Sequence, residues 1–145
     1  MLEIKLLELN EIETIKEVFE EESDKVLDCK KVGDFLKTPN CYAFILKKDE
    51  NTIGFAYGYG LTRPDGKVMF YLHDIGILTK HRDKGYGTEF MKWIVDFVKT
   101  KGFSEIFLVT DYNNPRACRV YEKTGFENHI PDEVCYVNEF NKKKN

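Results

Sequence analysis

Two glycines in a basic turn mark the first place in this sequence where the backbone could bind a ligand. Gly85 and Gly87 lie in the segment "HRDKGYGTEFMKW", at the point where a helical pattern begins. Glycine costs about 1 kcal/mol relative to alanine inside a helix, and it is usually kept where the backbone twists or touches a ligand. Backbone N–H groups at a helix start, beside Arg82 and Lys84, would suit a phosphate. A tight turn without a ligand is the alternative.

A second segment, "NNPRACRVYEKTGF", follows further along the chain. Asn114 is a typical N-cap residue, Pro115 suits the first helical position, and Gly125 marks the end of the predicted helix. Tyr121 lies on this helix. Its phenol, with a pKa of about 10, stays protonated at neutral pH and could donate a proton. A core aromatic residue on an amphipathic helix is the alternative role for Tyr121.

Hydrophobic periodicity predicts the elements that must position these residues. "EIKLLEL" is an opening strand, Asn10 with Glu13 forms a capping box for a first helix, and Ser23 caps a second helix that runs through Leu36. The stretches "CYAFILKK", "TIGFAYGYGL" and "KVMFYLHDIGIL" form an antiparallel meander, with hairpin turns at "DEN" and "RPDG". Strand alternation places His73 and Asp74 on opposite faces of the sheet.

The remainder of the chain completes a fold of the α/β (α+β) class. A helix that ends at Gly102 precedes the short strand "EIFLVT", the helix capped by Asn114 follows, and "FENHIPDEVCYVNEF" closes as a hairpin. The predicted order is β-α-α-β-β-β-α-β-α-β-β, a mixed, mostly antiparallel sheet flanked by helices. We expect one domain over residues 1–145, with 141–145 as a frayed tail.

The glycine segment and the tyrosine segment together resemble a known family. Arg82-x-x-Gly85-x-Gly87 after an "IGIL" strand, followed by Asn114-x-x-Ala117-x-x-x-Tyr121-x-x-x-Gly125-Phe126, is similar to the GNAT superfamily of acyl-CoA-dependent N-acetyltransferases. The resemblance runs from about Cys41 to Phe140. Within the family the chain looks closest to aminoglycoside acetyltransferases that modify the 3-amino group, on the segments Asp74-Ile75-x-Ile77 and Asp111-Tyr112.

The resemblance implies a cofactor, acetyl-CoA, and a set of residues that bind it. The family's pyrophosphate loop corresponds to Arg82, Asp83, Lys84, Gly85, Tyr86, Gly87 and Thr88. The strand whose backbone holds the pantetheine arm and the thioester corresponds to Ile75, Ile77 and Leu78. Asn114 matches the side chain that bonds the pantetheine arm, and Tyr121 matches the tyrosine whose hydroxyl faces the sulfur.

Acetyl transfer to an amine also needs a base. A primary amine with a pKa near 10.4 is almost wholly protonated at pH 7, so use of its neutral form costs about 4.6 kcal/mol. A carboxylate can accept that proton directly or through a water. Asp74 on the central strand and Asp111 just past the next strand are the catalytic candidates. Each is as readily explained as a solvated or capping aspartate.

Composition and charge exclude several other classes. With 42% hydrophobic and 32% charged residues among 145, the chain is typical of a soluble globular protein. A formal net charge of -3 gives no basic surface for nucleic acid, and no apolar run reaches the length of a membrane span. The acidic start "MLEIKLLELNEIE" is unlike a secretory signal. Four scattered cysteines indicate free thiols in a reducing cytoplasm, with no metal site.

The acceptor is the least determined feature of the sequence. The segment "EVFEEESDKVLD" is rich in acidic residues, which would suit a polycationic acceptor if it lined the cleft and would otherwise be an ordinary charged helix face. The acceptor could be a small amine, such as an aminoglycoside or a polyamine, or a protein amino group. Two alternatives to an enzyme also stay open: a regulatory module that binds acyl-CoA without turnover, and a structural domain. The sequence does not decide the oligomeric state, and a homodimer is possible.

Overall fold

The protein is described by a computed structural model that covers residues 1–111, 113–129 and 132–140. Its elements, in chain order, are β1 (Leu2–Leu6), a 3-10 helix (Leu9–Ile15), α1 (Lys16–Ser23), α2 (Cys29–Lys37), β2 (Cys41–Lys48), β3 (Asn51–Thr62), β4 (Val68–Ile77), a 3-10 helix (Thr79–His81), α3 (Tyr86–Thr100), β5 (Glu105–Phe107) and α4 (Pro115–Lys123).

The strands form one mixed sheet in the order β1-β2-β3-β4-β5. The first four strands pair antiparallel with their neighbours, and β5 pairs parallel with β4. Left-handed backbone at Asp49 and Glu50 makes the β2–β3 turn, and Gly66 does the same in the β3–β4 turn. The predicted meander, the mixed sheet and its flanking helices are therefore confirmed.

The core covers both faces of the sheet, with Ile15 and Val18 buried on the side of the first 3-10 helix and α1, and α3 packed on the sheet as well. Phe90, Met91, Ile94 and Val98 of α3 are buried, as the helical spacing of the apolar residues predicts. They meet a layer of buried strand residues that includes Phe44, Ile45, Leu46, Phe70 and Leu72. Apolar burial of this extent holds α3 rigidly on the sheet. The start of α3 is therefore fixed relative to the end of β4.

A β-bulge in β4 overturns the predicted separation of His73 from Asp74. The register pairs Tyr57 of β3 with Asp74 and Gly58 with Leu72, so His73 is the extra residue. The imidazole of His73 stacks on the Tyr57 ring, with centroids 5.1 Å apart. His73 and Asp74 thus both lie opposite Tyr57, because the bulge interrupts the strand alternation on which the prediction depended.

The predicted starts of the first two helices are wrong. The first 3-10 helix follows Glu8 and has no side-chain cap, so Asn10 and Glu13 form no capping box. Ser23 ends α1, donating its hydroxyl to the Phe19 carbonyl at 2.7 Å, and left-handed backbone at Asp24 turns the chain away. Asp28 caps α2 instead. Its carboxylate accepts the N–H groups of Lys30 and Lys31.

The end of the chain also differs from the prediction. In the described parts of the predicted hairpin, Phe126–His129 and Asp132–Phe140, no strand forms, and β5 stops at Phe107 before the predicted Thr110. Strand propensity depends on packing partners, and Val134, Tyr136 and Val137 are exposed. Ile130, Pro131 and the predicted tail 141–145 lie outside the described residues.

Two further observations concern the class of protein. All four cysteines, Cys29, Cys41, Cys118 and Cys135, are free thiols, as predicted. Within the part of the chain that the structure describes, each helix is too short or too polar to cross a membrane.

Candidate active site

A cleft of about 630 Å³ opens at the carboxyl end of β4. β5 pairs with β4 only at Met69, Phe70 and Tyr71, whereas β4 continues to Ile77. Beyond the paired residues the cleft is bordered by β4, the start of α3, the segment 108–110 and α4. Incomplete strand pairing is therefore what opens the cleft, and it leaves β4 backbone available to a ligand.

The start of α3 has the properties of an anion site. Gly85 has a φ of 85° and precedes the helix without a side-chain cap. The Glu89 N–H bonds the Gly85 carbonyl at 3.2 Å, so the N–H groups of Tyr86, Gly87 and Thr88 precede the first helical bond. Around Gly87 the nearest atom to an added Cβ is on Val120, at 3.9 Å. Gly85 therefore makes the turn, and Gly87 keeps the helix end bare.

Side chains brace this loop from two directions. Arg82 donates from Nε to the Ile77 carbonyl at 3.1 Å and from Nη2 to Glu22 Oε1 at 3.2 Å. Asp83, in left-handed backbone, pairs with Arg116 of α4 at 3.3 Å. The Arg82 guanidinium is thus engaged by protein groups, and the loop offers an anion mainly its backbone.

Helix α4 forms the opposite wall of the cleft. Asn114 caps it by accepting the Ala117 N–H at 3.2 Å, and Pro115 follows at the first position, as predicted. Tyr121 is partly buried and lines the cleft. Burial raises the pKa of the Tyr121 phenol, the negative charges of Asp74 and Glu22 add to this, and the Thr110 side chain opposes it. The phenol therefore keeps its proton at neutral pH.

Asp74 lies on the β4 side of the same cleft. Burial raises the pKa of its carboxyl, and the Ile75 N–H and His73 act in the opposite direction. Opposite it, burial and then the charge of Asp74 raise the pKa of Tyr57 to about 12. A carboxylate whose pKa is raised toward neutrality is better suited to accept a proton than an exposed one.

The cleft brings together most of the residues predicted from the sequence. Asp74 and Tyr121 of the catalytic set line it, together with the predicted cofactor residues Ile75, Ile77, Arg82, Asp83, Gly85, Gly87, Thr88 and Asn114. In the described part of the chain, the lining of the cleft does not include Leu78, Lys84, Tyr86 or Asp111. Leu78 is buried and donates its N–H to the Ile53 carbonyl. Asp111 is exposed, and its carboxylate accepts the Asn113 N–H at 2.8 Å.

Glu22 is the one acidic residue of the described cleft lining that the predicted site leaves out. It belongs to the acidic segment, most of which serves the fold: Glu17 pairs with Lys80, Glu20 accepts the Leu27 N–H, Glu21 accepts from Thr79, and Asp28 caps α2. Glu22 alone among these five acidic residues lines the cleft. Helical spacing places it on α1, but only the packing of α1 on β4 shows which carboxylate faces inward.

Fold and cleft define a class of protein: an α+β domain with an uncapped, glycine-bearing helix start, a carboxylate and a tyrosine around one cleft. A family model described as acetyltransferase (GNAT) family matches residues 5–126. The chain belongs to this family of acetyl-CoA-dependent N-acetyltransferases. No curated protein sequence matches it significantly.

Solved structures share the fold over nearly the whole chain. An aminoglycoside acetyltransferase, meta-AAC0020 from an uncultured soil metagenomic sample, in complex with sisomicin, is 21% identical with a TM-score of 0.82, over 97% of each chain. Ribosomal-protein-alanine N-acetyltransferase from Brucella melitensis biovar Abortus 2308 is 21% identical with a TM-score of 0.79, over 96% of this chain and 99% of that one. Aminoglycoside N-acetyltransferase AAC(6')-Iy, in complex with CoA, is 19% identical with a TM-score of 0.75, over 95% and 99%.

Proposed function

We propose that this chain moves the acetyl group of acetyl-CoA directly to a primary amine held in the cleft. The observation that carries the proposal is the convergence on one cleft of the bare α3 start, Asp74 and Tyr121. A binding site, a proton acceptor and a proton donor are the groups that direct transfer requires.

The cofactor half of the site consists of the α3 start, the loop before it and the end of β4. The N–H groups of Tyr86, Gly87 and Thr88 would hold the pyrophosphate, and the positive end of the helix dipole would favour it. β4 backbone at Ile75 and Ile77 would hold the pantetheine arm, opposite Asn114. Acetyl-CoA would supply the activated acetyl group and a thiol leaving group.

Two side chains would then accept and donate the protons of the reaction. Asp74 would accept the proton that the acceptor ammonium loses, which frees the nitrogen lone pair to form the new N–C bond. As the C–S bond breaks, Tyr121 would give its phenolic proton to the thiolate sulfur. Each proton transfer is worth about 10²–10⁴-fold in rate. The proton held by Asp74 returns to solvent, and Tyr121 regains one from it.

The acceptor that we favour is a small polycationic amine, such as an aminoglycoside, acetylated in the cytoplasm. Of the three carboxylates that line the described cleft, Asp83 is paired with Arg116, and the other two, Glu22 and Asp74, support a cationic acceptor. The 3-amino group is the position favoured by the segment Asp74-Ile75-x-Ile77. A protein amino group is the second candidate, because the fold is shared by a ribosomal-protein-alanine N-acetyltransferase.

An acceptor screen with thiol detection tests the proposal. Acetyl-CoA is offered with aminoglycosides, polyamines and an alanine-terminated peptide, and acetylated products are identified by mass spectrometry. We expect thiol release with a cationic small amine. At 100 times its dissociation constant, bound acetyl-CoA should stabilise the fold against thermal unfolding by about 2.7 kcal/mol. If this protection is seen but no amine is acetylated, the chain is a binding module. Absence of both would leave the glycine loop a structural turn.

A further inference from the structure

Glu22 reaches the cleft because residue 76 of β4 has no side chain. The Glu22 carboxyl lies against the Gly76 backbone, where an added Cβ would collide with it. Only 22% of its side chain is exposed. Since the obstructing group would be the end of a flexible side chain, a methyl group at residue 76 would displace Glu22 and leave the strand in place. The pair Gly76 and Glu22 therefore places a carboxylate on β4 beside the proposed thioester position.

Glu22 has one bonded cation and a second carboxylate nearby. Glu22 Oε1 accepts from Arg82, and within the described chain no hydrogen bond to Glu22 Oε2 is found. Burial raises the pKa of the Glu22 carboxyl, the nearby charge of Asp74 raises it further, and Arg82 opposes both. The charge of Glu21 raises it as well, although the Glu21 carboxylate is turned toward Thr79. Arg82 is the one cationic side chain bonded to either carboxylate in the described structure, and the other cations of the cleft, Arg116, Arg119 and Lys123, belong to α4. An ammonium group between Glu22 and Asp74 would be attracted by both carboxylates.

We propose that Glu22 is a specificity-determining residue that binds a second ammonium group of the acceptor while Asp74 receives the proton of the reacting one. The inference rests on the proposed function and narrows it to acceptors with at least two amino groups. The division of labour follows from the partners of each carboxylate. The Arg82 guanidinium holds the Glu22 carboxyl in a fixed position at 3.2 Å, which suits a lasting ion pair, whereas Asp74 has no cationic side chain bonded to it among the described residues.

A matched pair of amines tests the inference: 1,3-diaminopropane against propylamine, compared by kcat/KM. We expect wild type to prefer the diamine by about 10- to 100-fold, the worth of one hydrogen bond to a charged group. Glu22→Gln should abolish most of that preference by raising KM for the diamine. Gly76→Ala should do the same, because it displaces Glu22. Glu17→Gln, on the same helix but outside the cleft, should keep the wild-type preference.

The other outcomes contradict the inference in distinguishable ways. Failure of wild type to acetylate either amine contradicts the proposed function itself. Turnover with an unchanged diamine preference in Glu22→Gln contradicts the role of Glu22 alone. A weaker acetyl-CoA affinity in Glu22→Gln, measured by calorimetry, with an unchanged amine preference would show that Glu22 only supports Arg82 and the phosphate loop.

Discussion

The two halves of the cleft are built in different ways. The proposed cofactor half is centred on contiguous residues, Arg82–Thr88, whose backbone is available because a helix begins there, with the end of β4 beside them. The proposed acceptor half draws Glu22 from α1, Asp74 from a bulge in β4 and Tyr121 from α4. A contiguous site depends on local backbone conformation. A site assembled from three elements depends on how those elements pack.

This difference suggests that the halves can be disrupted separately. The Arg82 side chain, which bonds both Ile77 and Glu22, is the direct link between them. Substitutions at the α3 start should affect cofactor affinity, and substitutions of Asp74 or Tyr121 should affect turnover.

Gly87→Asp should abolish acetyl-CoA binding in a folded protein. The carboxylate would occupy the space where Gly87 keeps the helix end bare and would repel a phosphate. Calorimetry measures the affinity, and circular dichroism checks the fold. Gly87→Ala, whose methyl group has 3.9 Å to its nearest neighbour, is the control and should bind more tightly than the aspartate variant. Wild-type affinity in Gly87→Asp would remove the loop from the cofactor site.

Tyr121→Phe should lower kcat by about 10²–10⁴-fold and leave acetyl-CoA affinity nearly unchanged. The ring still packs near Phe126, and only the proton donor is lost. Single-turnover kinetics report the chemical step directly. Tyr136→Phe, at a tyrosine that is 92% exposed, should keep the wild-type rate. A wild-type chemical step in Tyr121→Phe would leave Tyr121 a packing residue.

Asp28→Ala should destabilise the protein by about 1 kcal/mol through loss of the α2 cap. The melting temperature should fall by about 2–8 °C. Ser23→Ala, at the residue that the sequence favours as the cap, should have the smaller effect. A larger loss of stability in Ser23→Ala than in Asp28→Ala would support Ser23, the residue predicted from the sequence, as the cap of α2.

Asp74→Asn should raise the melting temperature at pH 7 by a few degrees at most. Burial raises the folded-state pKa of Asp74, so the folded protein binds this proton more tightly than the unfolded chain does, and stability falls as pH rises through that range. The amide cannot ionise and escapes this loss. The advantage of the variant should shrink as the pH approaches the unfolded value of about 3.9. A variant less stable than wild type at pH 7 would show that the charged carboxylate stabilises the fold.

The sequence predicts the locally determined features of the cleft better than the features that depend on packing. Glycine spacing and the Asn114 cap are local signals, and both lie where expected. The bulge at His73 depends on pairing with β3, and alternation within one strand cannot reveal it. The inward turn of Glu22 depends on the space above Gly76, which only the packed structure shows. Strand-like residues after Phe126 form no strand in the described part, because propensity alone does not supply a partner.

The pH dependence of turnover in Asp74→Asn tests most directly whether the acceptor half performs the chemistry. Wild-type kcat should rise as the Asp74 carboxyl ionises, and the variant should lose about 10²–10⁴-fold at pH 7. Its rate should then recover toward pH 10, where roughly a quarter of an amine with a pKa near 10.4 is neutral without help, against less than a thousandth at pH 7. Asp111→Asn should show a smaller loss that high pH does not restore. If Asp111→Asn shows the pH-dependent recovery and Asp74→Asn does not, the base is Asp111 and the account of the acceptor half is wrong.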